Sequence, residues 1–548
     1  MNSGPVMEQL RKMHMLGLYT STELLSSLMI TMAKNCHDFF TMVNQCEMLM
    51  YNADFLFENK EYQKAEAVYH KALQLFKSIP KGKQKHTVLG LPQGISDIDI
   101  KFKIHKCCIL LNNDSDALSI LESISQKQRS MKVSLCLAKL YQKLNLEKQA
   151  VACYKEVLRN CPLALDCAIE LLQLGEHPNV VISIMNINCS LDWLVPFIKA
   201  HGLRLNKDLN KSVVAFEGLT RRVSLNGNVD LLCSLASSCY HAGNTSAALQ
   251  HFKSAVFQNP YRLKDMDLYA YLLSEDDQNE ELEKLALKMI SVSQHHPEPW
   301  IALGYHAKSK GDFTKAMYLA TRATDLNSKC VQALLLKGVS LCKSGEVRTA
   351  VTYLRHAMLT APNRLDCYAE LVNAHKQDQR NNEALNVAKS ALDAVGCTPD
   401  AIVLWAWASL FDSSSHDQVI RLVERALSIN PDHRRAIEIR CMIADKQKKY
   451  DDAIKVLLDA IQRNGSSIYH TMLADFFVRI SKFSDAVEHY NISLSINPNS
   501  AEAKAGLDKI ESLEQSDTFE GDQDEELVGN DQEENRITGV PWPHDDWF

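Results

Sequence analysis

Residues that end helices recur about every 34 residues through the second half of this 548-residue chain, and this spacing constrains the fold more than any other feature. The steps between them are 34, 34, 34, 34, 35, 34 and 33 residues. Proline and glycine hold most of these positions. Proline lacks the amide hydrogen that a helix needs, and glycine adopts the left-handed backbone with which many helices end. The spacing therefore predicts tandem copies of one helical module, ending near Pro260, Gln294, Ser328, Pro362, Gly396, Pro431, Gly465 and Pro498.

Small side chains hold fixed places inside each module, with larger ones between them. In residues 299–327, PWIALGYHAKSKGDFTKAMYLATRATDLN, a first helical stretch is followed by a second. Helices that cross closely need small residues at the crossing and large ones in the neighbouring gaps. A two-helix module of this kind cannot bury its apolar face alone, so we expect neighbouring modules to stack. The predicted packing signature comprises Trp300, Leu303, Gly304, Ala316, Ala320, Ala323, Gly338, Ala350 and Ala357.

This pattern resembles the tetratricopeptide repeat, whose first helix opens W-x2-L-G as residues 300–304 do. The expected fold class is an all-α tetratricopeptide-repeat superhelix, a right-handed α-solenoid of about 14 helix-turn-helix units. We expect an N-terminal helix pair with a first repeat at 1–76, a polar insertion loop at 77–97 and partly irregular repeats at 98–226. Regular repeats with a capping helix follow at 227–513, and then an acidic disordered tail at 514–548.

Three features leave alternatives open. Leu24, Leu25, Leu28 and Met32 form one apolar helix face that no repeat precedes, so we expect a homodimer interface there. In the alternative, the first helix covers this face through Val6, Leu10 and Met13. The lysine-rich insertion is either a solvated loop or a partner contact. The tail, which ends in aromatic residues, is either a frayed end or a short docking motif.

The charge is unevenly distributed along the chain. From Glu511 onward there are 13 acidic residues and one basic residue, whereas the rest carries a net charge of about +5 without a concentrated basic face. A nucleic-acid partner is therefore not expected. The chain shows no secretory signal and no apolar run of the ~20 residues that span a bilayer, so we expect no membrane partner. Sixteen cysteines without a CxxC pair indicate free thiols in a reducing compartment, the nucleus and cytoplasm.

Motifs that carry chemistry are missing from the sequence: there is no phosphate-binding loop, no GxGxxG after a strand and no HExxH. We therefore expect no catalytic residue, cofactor, metal ligand or small-molecule substrate, and a binding function instead of an enzyme. Two classes remain, a scaffold in a large assembly and an adaptor that holds peptides in its concave groove. The lysine and asparagine pair by which chaperone adaptors of this repeat family hold a peptide carboxylate is absent from the matching positions.

Four segments favour the scaffold. Residues 154–167 (YKEVLRNCPLALDC), 190–194 (SLDWL), 331–341 (VQALLLKGVSL) and 364–371 (RLDCYAEL) resemble the repeat-rich subunit 7 family of the anaphase-promoting complex, or cyclosome. The resemblance implies a non-catalytic scaffold subunit of a multi-subunit ubiquitin ligase that controls mitotic progression. It also implies that the protein partners are other repeat subunits of that ligase, and that the chain forms a homodimer through its N-terminal repeats.

Overall fold

The computed structural model describes residues 4–35, 40–79, 96–185, 191–206, 208–410, 416–463, 465–498 and 500–519. These residues form α-helices joined by short turns, with two short 3-10 segments and no strand among them. They divide into two compact units, an N-terminal unit ending at Leu205 and a C-terminal unit starting at Asn206. Most of the predicted insertion (residues 80–95) and of the predicted tail (residues 520–548) lies outside the described residues.

The N-terminal unit consists of five consecutive helix pairs and one further helix. The helices between residues 165 and 185 are short, with nine and eight residues, in the stretch for which irregular repeats are predicted. In chain order the helices are α1 (Gly4–Met15), α2 (Tyr19–Asn35), α3 (Met42–Glu58), α4 (Tyr62–Ser78), α5 (Asp97–Leu110), α6 (Asp114–Glu122), α7 (Met131–Lys143), α8 (Glu147–Asn160), α9 (Leu165–Gln173), α10 (Pro178–Met185) and α11 (Leu194–Leu205).

The C-terminal unit opens with one helix, continues through eight helix pairs and closes with a last helix. Its helices are α12 (Leu209–Thr220), α13 (Val229–His241), α14 (Thr245–Gln258), α15 (Met266–Glu275), α16 (Asn279–Val292), α17 (Pro297–Ser309), α18 (Phe313–Leu326), α19 (Val331–Lys343), α20 (Val347–Thr360), α21 (Leu365–Gln377), α22 (Asn381–Val395), α23 (Pro399–Ser409), α24 (His416–Ile429), α25 (Arg434–Lys446), α26 (Tyr450–Arg463), α27 (Ser467–Arg479), α28 (Phe483–Ile496) and α29 (Ala501–Phe519).

The all-α repeat fold predicted from the sequence is confirmed. The second helix of every pair from α14 to α28 ends one or two residues before the predicted position: α14 ends at Gln258, before Pro260, and α22 ends at Val395, before Gly396. Pairs within each unit account for 13 of the 14 expected units, and the consecutive helices α11 and α12 stand at the remaining place in the sequence.

In the helix pairs whose turn the structure describes, several turns use a left-handed residue that the sequence analysis did not identify. It lies two residues after the end of the first helix, as at Gly311 after α17 and Gly345 after α19, with φ of +79° and +88°. Glycine adopts this conformation without strain, and it ends a helix by letting the chain reverse. Non-glycine residues hold the same place elsewhere, for example Asn112 and Asn145.

Two predicted boundaries differ from the structure. α5 begins at Asp97, inside the predicted insertion, because Ser96 and Asp99 form a reciprocal capping box around its first turn. α29 runs to Phe519, past the predicted limit of 513. Ala503 and Ile510 of α29 are buried against the preceding pair, so this helix covers the end of the repeat array.

Candidate protein-interaction surfaces

The packing signature lies at the crossings within and between helix pairs. Trp300 and Leu303 are partly buried, and the other members are buried. A Cβ atom added at Gly304 would lie 2.4 Å from Leu336 Cδ2, and one at Gly338 would lie 2.5 Å from Leu354 Cδ2. These side chains hold the helices against each other, and the interaction surfaces have to be sought elsewhere.

The helix pair α1–α2 exposes an apolar surface at the N-terminal end of its unit. Leu24 and Leu28 are 64% and 62% exposed, and Met32 is also exposed, whereas Leu25 is partly buried. The turn between the two helices adds apolar side chains that the sequence analysis missed, although the run MLGLY marks them. The N-terminal apolar surface is defined here by Met15, Leu16, Leu18, Leu24, Leu28 and Met32.

The opposite face of α2 is the one that α1 covers. Met7 and Leu10 of α1 are buried against Met29 and Ala33 of α2, and Met13 packs beside them. Because two residues of a helix turn by about 200°, Thr22 and Leu24 point to opposite sides, and Thr22 belongs to the buried face. The first helix therefore forms a cap, but this cap leaves Leu24 and Leu28 uncovered.

Charged contacts fasten α1 to α3. Arg11 donates two hydrogen bonds to the buried Glu47, at 2.7 and 2.9 Å, and the Tyr51 hydroxyl donates to the same carboxylate. His14 Nε2 lies 3.1 Å from Asp54 Oδ2. Such bidentate, charge-assisted contacts hold an orientation as well as adding stability. The N-terminal apolar surface is thus carried on helices that are anchored to the first repeat.

Asp54 is the centre of a wider polar network in the N-terminal unit. It accepts hydrogen bonds from Tyr69 at 2.5 Å and from Lys103 at 2.7 and 2.8 Å. Burial alone would raise the pKa of Asp54, but the hydrogen bond from His14 and the charge of Lys103 outweigh it and lower the pKa. This carboxylate therefore stays ionised and joins α1, α3, α4 and α5.

In the C-terminal unit, side chains of the first helices meet across several repeats. The Tyr240 hydroxyl at the end of α13 donates to Asp366 Oδ2 of α21, at 3.1 Å and 126 residues away in sequence. Arg364 donates to the same carboxylate. Burial would raise the pKa of Asp366, but the neighbouring guanidinium outweighs it and keeps the pKa low. The hydrogen bond from Tyr240 to this ion-paired carboxylate therefore links α13 to α21.

Aromatic rings fill the space beside this link. The ring centroids of Tyr240 and Tyr271 are 6.0 Å apart, and those of Tyr271 and Tyr305 are 5.6 Å apart. The Tyr305 hydroxyl donates to Gln332 Oε1 at 2.7 Å, and both side chains are buried. The space between α13 and α21 is thus filled by the chain's own side chains.

Two further features of the described ranges bear on the possible chemistry. No group of three or more His, Cys, Asp and Glu side chains is placed there to hold a metal ion. Among the helices that the structure describes, none is long and apolar enough to cross a bilayer.

Comparison with known proteins identifies the family. No protein-family model matches the chain. It is 33% identical over 545 residues to the human "Anaphase-promoting complex subunit 7", covering 97% of this chain and 96% of the human protein. The Arabidopsis thaliana protein of the same name is 26% identical over 519 residues, covering 90% and 92% of the two chains.

A solved structure supports the fold independently. The crystal structure titled "APC/C hetero-tetramer Cut9-Hcn1" matches with a TM-score of 0.57 and 16% identity, over 91% of this chain and 95% of that one. The repeat fold and the similarity to the human protein over nearly its full length lead to one conclusion. This chain belongs to the anaphase-promoting complex subunit 7 family.

Proposed function

We propose that this chain is a non-catalytic scaffold subunit of the anaphase-promoting complex, the ubiquitin ligase that controls mitotic progression. The observation that carries the proposal is the similarity to the human subunit over almost the whole of both chains. The fold supports it, because helix pairs make up most of the described residues and the side chains that recur in register pack the helices together. A stacked array of this kind offers long surfaces for other proteins.

The partners we propose are other repeat subunits of the same ligase, in the nucleus and cytoplasm. The test is affinity purification of a tagged chain from dividing cells, with mass spectrometry of what it retains and microscopy of where it resides. Recovery of the ligase's other repeat subunits is the expected result. Recovery of chaperones without them, or ubiquitin transfer by the chain alone, would overturn the proposal.

The peptide-adaptor alternative is disfavoured in the C-terminal unit. A peptide lying between α13 and α21 would have to displace Tyr240 from Asp366 and separate the Tyr240 ring from the Tyr271 ring, which meets it edge to face. Asp366 is only 4% exposed, so its carboxylate would lose a buried hydrogen bond.

We also propose that two copies associate through the N-terminal apolar surface. Four of its side chains, those of Met15, Leu16, Leu24 and Leu28, are each more than 60% exposed. Large exposed apolar patches on soluble proteins usually mark contact sites. In a closed two-fold dimer each copy would cover this surface of the other. The anchoring of α1 by Glu47 and Asp54 supports the proposal, because a rigid surface loses little entropy on binding.

The double variant Leu24→Glu with Leu28→Glu tests the dimer. It should sediment as a monomer, because the interface would bury unpaired carboxylates, and it should keep its helical circular dichroism because both side chains are exposed. The matched control is Leu110→Glu with Leu163→Glu, which alters two exposed leucines outside this surface. An unaltered chain that sediments as a monomer at micromolar concentration, or a double variant that stays dimeric, would refute the interface.

A further inference from the structure

The N-terminal unit carries a second surface, which the dimer proposal does not use. On α5, Phe102 lies one helical turn before Lys106, and on α7 Leu135 lies one turn before Lys139. The two pairs are 33 residues apart, so they occupy equivalent places in neighbouring repeats. Both lysines are exposed, and Phe102 and Leu135 are partly buried. These four residues are called the lysine face.

The two lysines belong to consecutive helix pairs, α5–α6 and α7–α8. Lys106 Nζ is 5.3 Å from the centroid of the Phe102 ring, and the positive charges of Lys106 and Lys139 both act on the thiol of Cys136. Burial raises the pKa of that thiol, and both lysines oppose the rise. Within the described ranges neither lysine forms an ion pair, whereas Lys103 is held by Asp54. The lysine face therefore offers two unneutralised cations above apolar side chains.

A cleft of about 210 Å³ opens beside the lysine face, and Lys106 belongs to both. Its aromatic walls are Tyr19, Phe57 and Tyr69. The carboxylate of Asp54 in this cleft is satisfied by Lys103 and His14, and Glu58 contributes an exposed carboxylate. A ligand that fits this surface carries several negative charges and an aromatic group.

The chain itself contains a segment of that chemistry. The stretch from Glu511 to the C-terminus has 13 acidic residues and one basic residue, and it ends with Trp542, Trp547 and Phe548. Residues 520–548 span up to about 100 Å when extended. Their carboxylates suit the two free lysines, and their aromatic side chains suit the cleft. The inner side of the C-terminal unit between α13 and α21, in contrast, is occupied by its own tyrosines.

We propose that residues 520–548 dock on the lysine face and the adjoining cleft, either of the same copy or of a second one. The contact masks two cations of the N-terminal unit and removes the acidic segment from solution. This contact does not depend on whether the chain belongs to the ubiquitin ligase, because both of its surfaces are part of this chain.

Lysine footprinting with an acylating reagent tests the contact in the intact protein. The full chain is compared with a chain ending at Asp517, and the reactivities of Lys106 and Lys139 should rise several-fold when the segment is removed. Lys71 and Lys148, exposed lysines on the second helices α4 and α8, are the matched controls and should not change. Equal reactivity of Lys106 and Lys139 in both chains would overturn the proposal.

A synthetic peptide of residues 520–548, added to the shortened chain, tests the chemistry. Binding should weaken as salt is raised, because the contact is between charges. It should be lost in Lys106→Glu with Lys139→Glu, be retained in Lys71→Glu with Lys148→Glu, and strengthen in Glu58→Gln. Equal binding by the two double variants would refute the lysine face as the site.

Dilution identifies the source of the docked segment. Protection of Lys106 that persists in the full chain at low concentration assigns the segment to the same copy, since an intramolecular contact does not depend on concentration. Protection that disappears on dilution assigns it to a second copy. Absence of protection at every concentration contradicts docking altogether.

Discussion

Replacing Gly338 by alanine should destabilise the C-terminal unit, although alanine is the better helix former. Gly338 lies in α19, where an added Cβ would be 2.5 Å from Leu354 Cδ2 and 2.6 Å from Leu354 Cγ. Carbon atoms in contact normally lie about 3.5–4.0 Å apart. The branch point of Leu354 would have to retreat by about 1 Å, and a turn of its terminal methyl groups would not suffice.

The magnitude follows from two opposing effects. Overpacking a close-packed site costs about 1–3 kcal/mol, and Leu354 is fully buried. Replacing glycine by alanine inside a helix gains up to about 1 kcal/mol. Gly218 of α12 separates the two effects, because a Cβ added there meets nothing within 4 Å. Gly218→Ala should therefore show only the stabilisation that comes from higher helix propensity. The unfolding free energies of Gly218→Ala and Gly338→Ala should differ by about 1–3 kcal/mol.

Urea unfolding followed by far-ultraviolet circular dichroism measures the difference. Gly304→Ala should fall between the two variants, because its Cβ would meet only one atom closer than 3.7 Å, the terminal methyl of Leu336. If Gly338→Ala were as stable as Gly218→Ala, the helix crossing would not be as tight as the structure has it, and the packing argument would fail.

Three further predictions concern other parts of the C-terminal unit. Tyr240→Phe should lower the unfolding free energy by about 1–3 kcal/mol, because Asp366 loses a donor, whereas Tyr318→Phe at an exposed position should be neutral by urea unfolding. Burial raises the pKa of Asp267 to about 6, so the folded state binds more protons than the unfolded state and stability should fall as pH rises from about 4 to about 7. Asp267→Asn should reduce that fall in a melting-temperature series across this pH range, and an unchanged slope would contradict the assignment. A chain ending at residue 499 should be less soluble than one ending at residue 517, because only the shorter chain loses α29 and uncovers Tyr490. Equal solubility of the two chains in a concentration series would mean that α29 is not a cap.

The local architecture of the repeats was predictable from the sequence. The ends of α14, α18 and α28 lie two residues before Pro260, Ser328 and Pro498. Such predictions succeed because a helix end and the crossing of neighbouring helices depend on residues within one 34-residue copy. Small residues at Gly304 and Gly338 mark crossings for the same reason.

The tertiary structure decided which face of α2 is covered. The periodicity of Leu24, Leu28 and Met32 indicates an apolar face, but it does not tell which face α1 occupies. Arg11 and His14 orient α1 through Glu47 and Asp54, which lie 36 and 40 residues further along the chain. The pairing of these charges carries no periodic signal, so the sequence analysis could not find it.

The link between Tyr240 and Asp366 also arises only in three dimensions. The small rotation that each helix pair adds to the next brings α13 and α21 together after 126 residues. The 34-residue pattern by itself determined that helix pairs stack and where each one ends. The accumulated rotation, which depends on the packing of every crossing in between, decided which side chains meet across the repeats and that tyrosines fill the space between α13 and α21.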